Sequence, residues 1–320
     1  MTKIAIIGLG LLGASLGMAL RSADAKESPL GPVEVWGWDR DPKAIKEARV
    51  RLAIDREVRT LPEAVRDANL VVLATPVQAI RELLVQLGSL LPEGSVVTDV
   101  ASTKAAVMEW AAQLPNGITF IGGHPMAGKE QSGTAAADSE LLTGAIYCLT
   151  VSHRAPQQAV ELVEAMVRTA GARPYYIDAT EHDAYVAGIS HLPMLLSVGL
   201  TTITGQSPAW KELAPLAATG FRDVSRLASG DPEMHRDILL TNAAGLDRWI
   251  DAMIRFLVTT RDQLAAGDSE TIETMLREAK AHRDEWLASR PNLRPGEADF
   301  LQQPEIERPN LLTFRRPGRK

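Results

Sequence analysis

Through the first half of the chain, short apolar runs alternate with longer stretches whose apolar residues recur every three or four positions. That alternation predicts βα units around a parallel sheet, because a strand buried on both faces reads as a continuous apolar run. The predicted strands are Lys3–Ile7, Val33–Trp38, Leu70–Ala74, Ser95–Asp99, Ile118–Ile121, Ile146–Val151 and Pro174–Ile177. Helical patterns fill most of the gaps, among them Leu11–Arg21, Pro42–Arg51, Val77–Leu87 and Lys104–Ala112.

After Ile177 the texture changes. Asp178 is placed to cap a long helix from Ala179 to about Thr204, which Gly188 weakens and Pro193 kinks without stopping. Helical windows recur at Pro232–Leu264 and Ser269–Leu287. Within them Trp249, Ile250, Met253, Ile254 and Leu257 fall at helical spacing, which reads as a face buried against another helix. The pattern therefore predicts an α/β, Rossmann-like domain over 1–177, an all-α domain over 178–290 and a loosely ordered tail over 291–320. In that tail Pro291, Pro295, Pro304, Pro309 and Pro317 interrupt any helix, and Arg315, Arg316, Arg319 and Lys320 end the chain in positive charge.

Composition narrows the class. The 320 residues are 45% hydrophobic and 23% charged, enough apolar material for packed cores and evidence against disorder. A balance of 34 basic against 40 acidic residues leaves −6, so no positive field is available to hold nucleic acid or an anionic membrane. The one cysteine, Cys148, excludes an intramolecular disulfide, and no Cys/His spacing resembles a metal site. A reduced, cytoplasmic, metal-free protein is expected. Lys3, the apolar run Ile4–Leu20 and Ala23-Asp24-Ala25 imitate a secretory leader. Against that reading, Gly8, Gly10, Gly13 and Gly17 break the supposed leader helix. No other window approaches about 20 uninterrupted apolar residues, so no membrane span is expected.

The glycines have a better use. Gly8-Leu9-Gly10-Leu11-Leu12-Gly13 follows the first strand and opens the first helix, the context that a dinucleotide fingerprint requires. The first glycine permits the turn, the second admits a pyrophosphate against the backbone, and the third lets strand and helix pack closely. Leu11, Leu12 and Gly13 then present their amides to the phosphates at the positive end of the helix. The second strand ends in Asp39-Arg40. Asp39 would hydrogen-bond the adenosine ribose and favour NAD, whereas Arg40 would suit the 2′-phosphate of NADP. NAD is the preferred reading. Asp39 and Asp41 could equally cap the helix that Pro42 begins. Thr75-Pro76 closes the third predicted strand where it would lie along the cofactor, though a proline starting a helix needs no ligand.

A bound nicotinamide restricts the chemistry to hydride transfer, so the groups facing it choose the reaction. Two polar clusters follow predicted strand ends: Asp99-Val100-Ala101-Ser102-Thr103-Lys104 and Gly122-Gly123-His124-Pro125-Met126-Ala127-Gly128. His124, among glycines and before a proline, reads as a loop residue and as the base that an alcohol-oxidising enzyme needs near neutral pH.

These pieces, with Glu130, Gly133, Ser190-His191-Leu192-Pro193 and Gly220-Phe221-Arg222-Asp223-Val224-Ser225-Arg226, occur in one order from residue 1 to about 290. That set resembles the prephenate/arogenate dehydrogenases of tyrosine biosynthesis. The resemblance implies NAD(P)-dependent oxidative decarboxylation of a small-molecule cyclohexadienol, arogenate or prephenate, and a homodimer formed through the helical domain. On that footing His124 draws the proton from the ring hydroxyl. Ser102 either orients that hydroxyl or caps the following helix. Arg226, rather than Arg222, binds a substrate carboxylate, and Arg222 pairs with Asp223 on the surface. His191 contacts substrate or sits as a satisfied buried histidine. Met194 stands where some members of the family carry a second histidine, which tilts the choice towards arogenate. His153, His182, His235 and His282 are read as structural, with His182 on the surface of a helix start. Too few residues follow the helical half for an appended regulatory domain.

Two other readings compete. A β-hydroxyacid-type dehydrogenase also joins a Rossmann half to a helical half, but it relies on a helical-domain lysine that no position here matches. An NAD-sensing regulator without turnover would fit the glycine turn, although nothing in the charge pattern suggests DNA contact.

Overall fold

Thr2–Ile7 forms β1 and Val33–Trp38 forms β2, paired in parallel with Ile7 opposite Trp38. The computed structural model describes residues 1–289, so the expected tail over 291–320 lies outside the described residues. β3 (Arg56–Glu57), β4 (Leu70–Leu73), β5 (Val96–Asp99), β6 (Thr119–Pro125), β7 (Ile146–Val151) and β8 (Arg173–Tyr176) complete one sheet in the order β3-β2-β1-β4-β5-β6-β7-β8. α1 (Leu11–Ser22), α2 (Pro42–Val50), α3 (Leu61–Val65), α4 (Val77–Leu90), α5 (Ala105–Ala111) and α6 (Gln157–Thr169) connect these strands. Alternation along β1 and β4 sends Ile4, Ile6, Leu70 and Val72 into one core, and Ala5, Ile7, Val71 and Leu73 into the other. Both faces are covered, as the continuous apolar runs required.

The sheet departs from expectation at its far end. β6 and β7 pair antiparallel, with His124 opposite Cys148, while the other ladders are parallel. That ladder carries β6 through Gly122, Gly123 and His124 to Pro125, so His124 is a strand residue and not the loop residue expected from its glycine neighbours.

The described residues divide into two units, Met1–Asp183 with Gly230–Thr241, and Ala184–Ser229 with 242–289. The second half is built from α7 (Ala179–Val186), α8 (Leu192–Gly205), α9 (Trp210–Leu213), α10 (Thr219–Ser225), α11 (Pro232–Thr241), α12 (Ala243–Ala266) and α13 (Ser269–Ser289). α11, read from sequence as part of the helical half, belongs to the first unit. The amide of Gln78 at the start of α4 donates to buried Asp237 (3.2 Å), and the hydroxyls of Thr103 and Thr241 lie 2.8 Å apart. Between α7 and α8 the residues Ala187–His191 form a π turn. Pro193 has no N–H for the ordinary helical bond, and the extra residue in the turn absorbs that loss.

Within the second unit the Trp249 stripe is not the buried face that its spacing suggested. Trp249 is 38% exposed and Leu257 55%, with Ile254 exposed as well. One edge of the Trp249 ring packs on Gly188, where an added Cβ would fall 2.6 Å from the indole, and Ile250 and Met253 are half-buried, while Ile254 and Leu257 stay exposed. Ala179–Gly205 is long and apolar enough to cross a membrane by length and composition. Gly, Ser and Thr spread among its apolar residues leave it without a long uninterrupted apolar run.

Candidate active site

Strands β1, β4, β5 and β6 run parallel, so their carboxyl ends share one edge of the sheet. The glycine turn lies there. Gly8 adopts φ +97°, and a Cβ on it would meet the Ala74 carbonyl and come 2.9 Å from the Thr75 methyl, so the turn and Thr75 are in direct contact. A Cβ on Gly13 would strike the carbonyl oxygen of Gly8. Above Gly10 there is open space, and this residue begins α1 without any side-chain cap. The combination leaves a helix N-terminus with first-turn amides and room for an anion, which fits a dinucleotide pyrophosphate.

Asp39 reaches this turn from the end of β2. Its carboxylate accepts from the amides of Leu9 (2.7 Å) and Asp41 (2.8 Å), while Asp41 caps α2 through the Lys43 amide (2.9 Å). The two acids therefore have separate roles, and Asp39 belongs to the glycine turn. Arg40 is exposed, its guanidinium 3.9 Å from Glu233. Pro76 precedes α4 as its N-terminal cap residue. From the opposite side, the Thr134 hydroxyl donates to the Leu9 carbonyl (2.6 Å) and clamps the turn.

The second cluster lies at the ends of β5 and β6. Lys104 and Asp99 form a fully buried ion pair, and Asp99 also accepts from the Gly123 amide (2.9 Å). Burial pushes the Lys104 ammonium below the ordinary lysine value, while the Asp99 carboxylate pulls it back up. His124, 8% exposed, places Nδ1 2.8 Å from Nε2 of His182. His182 in turn places Nδ1 2.8 Å from Asp183 Oδ1. The Asp183 carboxylate accepts from the amides of Lys104 (2.7 Å) and Ala105 (2.9 Å) at the start of α5. Two sequence readings are corrected here. His182 is 1% exposed and not on a helix surface, because it shares the inward stripe of α7 with buried Val186, one turn on. Ser102 does not cap α5, which starts at Ala105 and has its first amides taken by Asp183; Ser102 is half-buried in the turn after β5.

His182, Asp183, Asp99 and Lys104 were not singled out as site residues from sequence. His182 stands four residues before apolar Val186, but its charged neighbours Glu181 and Asp183 hide that spacing behind the look of a solvated helix start.

His191 and Arg226 belong to the second unit. His191 is buried in the π turn, where its Nδ1 accepts from the Asn242 side-chain amide at 3.1 Å; Asn242 was not foreseen. Met194, one turn on, is also buried. Arg226 is exposed at the head of a 3₁₀ turn over Arg226–Ser229, and Arg222 pairs with Asp223 at 3.0 Å on the surface. Among the described residues no group of three His, Cys, Asp or Glu side chains is arranged to hold a metal.

The prephenate dehydrogenase nucleotide-binding domain matches residues 26–176, and the prephenate dehydrogenase dimerization domain matches residues 178–278. The chain belongs to the prephenate dehydrogenase family. The prephenate dehydrogenase of Bacillus subtilis (strain 168) is 34% identical over 287 residues, covering 88% of this chain and 75% of that protein. The crystal structure of Synechocystis arogenate dehydrogenase superposes with a TM-score of 0.72 at 30% identity, over 89% of this chain and 100% of that one. Prephenate dehydrogenase from A. aeolicus in complex with hydroxyphenyl propionate and NAD+ gives a TM-score of 0.80 at 27% identity, over 89% and 98%. As a member of the prephenate dehydrogenase family the chain is an oxidoreductase with a Rossmann-like nucleotide-binding domain, which sets aside both competing readings.

Proposed function

We propose that this prephenate dehydrogenase family member oxidatively decarboxylates arogenate or prephenate, with NAD as preferred cofactor and His124 as the base. One observation carries the reading: an open, uncapped glycine turn and a buried imidazole lie on the same carboxyl edge of one sheet. Bound nicotinamide supplies a hydride acceptor. Gly8, Gly10, Leu11, Leu12 and Gly13 would hold the diphosphate, with Thr75 and Pro76 alongside. Asp39, already at the turn, would receive the ribose hydroxyls, and its negative charge favours NAD over NADP, whose phosphate Arg40 would otherwise accept.

His124 takes the ring hydroxyl proton as hydride leaves the carbinol carbon. The ring carboxylate departs as carbon dioxide, and its bonding pair completes the aromatic ring. Aromatisation drives the reaction, so the protein mainly orients groups. Ser102 orients the hydroxyl, Arg226 holds a substrate carboxylate with its planar fork, and His191 contacts the substrate. Met194, where a second histidine occurs in some relatives, favours the amino-acid side chain of arogenate.

We read the protein as a cytoplasmic homodimer that binds neither nucleic acid nor membrane. The match to a dimerization domain supports the dimer, as do Ile189, Ile203, Trp249 and Leu257 exposed on the second unit. The test is purified protein with NAD or NADP and either substrate. Reduced cofactor and carbon dioxide are expected in equal amounts, with NAD and arogenate the better pair, and His124→Asn should lose about a hundredfold or more in kcat while still binding NAD. Absence of cofactor reduction with both substrates would overturn the assignment.

A further inference from the structure

His124 is the last residue but one of β6, and its Nδ1 faces a second buried imidazole that is anchored by a carboxylate. The protons in that chain can be assigned. An ionised Asp183 only accepts, and it already receives the amides of Lys104 and Ala105. The contact at 2.8 Å from Asp183 to His182 Nδ1 therefore needs a proton on that nitrogen. A neutral His182 then presents a lone pair at Nε2, so the proton in the next contact belongs to His124 Nδ1. The lone pair of His124 falls on Nε2.

We propose that His182 and Asp183 are positioning residues for the base: they hold His124 as its Nδ1–H tautomer and share the proton it gains. This rests on His124 being the base, as argued above. When Nε2 of His124 takes the substrate proton, the Nδ1 proton can pass to His182 Nε2. The positive charge then sits beside Asp183, away from the ring that is losing its own proton. No bond other than N–H is made or broken in the transfer.

The surrounding charges leave Asp183 as the anion that acts here. Asp99 and Lys104 neutralise one another. Cys148, opposite His124 on β7, and the adjacent Tyr147 are both pushed up by burial and stay neutral near pH 7. Asp178 and Glu181 on the α7 side are exposed to solvent.

The test compares His182→Ala, His182→Gln and His182→Asn in the full chain with NAD and substrate. Gln places an acceptor where Nε2 stood, whereas Asn reaches only the Nδ1 position. His182→Ala and His182→Asn should lower kcat by roughly ten- to a hundredfold. KM and NAD affinity should stay within about threefold, and the acidic limb of kcat/KM should move to lower pH. His182→Gln should recover at least about a third of the parental kcat. An unmoved acidic limb, or Gln no better than Ala, overturns the proposal. Long-range nitrogen–proton NMR of the protein alone reads the tautomer directly and guards against loss of fold in the alanine variant. His124 should show a protonated Nδ1 in the parent chain, and a protonated Nε2 there would also overturn it. His124→Asn run beside these separates the two ideas: parental turnover in that variant removes the base itself, whereas its loss together with a normal His182→Ala removes only the relay.

Discussion

Cys148 lies opposite His124 in the antiparallel ladder, and burial pushes its thiol up to about 11 even though Lys104 pulls it down. At pH 8 only about one thiol in a thousand is then ionised, and the thiolate is the reactive form. A disulfide reagent should therefore label the folded protein at least about a hundredfold more slowly than the denatured chain, followed by the release of its coloured thiolate. Equal rates would place Cys148 in solvent. Residues of this kind show where sequence reading ends. His124 stood out because glycines and a proline surround it in a polar cluster at a strand end. His182 did not, because Glu181-His182-Asp183 reads as a solvated helix start. Its burial depends on β6 and α7 meeting across 58 positions, which no local pattern encodes.

The element that depends most on a single side chain is the turn into α1. With a Cβ on Gly13 colliding with the Gly8 carbonyl, Gly13→Ala must push helix and strand apart. A cost of about 1–3 kcal/mol follows from overpacking, together with weaker NAD binding, read by thermal melting and by cofactor titration. Gly10→Ala, with open space above it, should leave the melting temperature nearly unchanged and affect the titration alone. Strand positions were legible because burial on both faces writes apolar runs such as Leu70–Leu73. The same runs do not encode direction, so the antiparallel pairing of β7 was hidden. The π turn before Pro193 was anticipated only as a kink, since proline specifies which hydrogen bond is missing and not how the backbone recovers.

At the scale of the whole molecule, the apolar surface of the second unit is the face on which the proposed homodimer rests. Ile203 is 75% exposed, and Ile254, Phe256 and Leu257 are also open on α12. Spacing marked the Trp249 stripe as apolar on one side of a helix but could not say that much of it stays exposed in a single chain. Light scattering after gel filtration should give a dimer, and Phe256→Asp with Leu257→Lys should give a monomer whose nucleotide-binding unit still takes up NAD. A parent that elutes as a monomer would contradict the homodimer. The path of the backbone adds a constraint of its own. α11 begins 49 residues past Asp183 and yet packs with the sheet-bearing unit, supplying Asp237 to the head of α4 and Thr241 to Thr103. A cleavage at Asp183 cannot release that unit intact, so its assembly waits until the ribosome has delivered more than fifty further residues, and a gene truncated at that boundary would encode a nucleotide fold lacking α11.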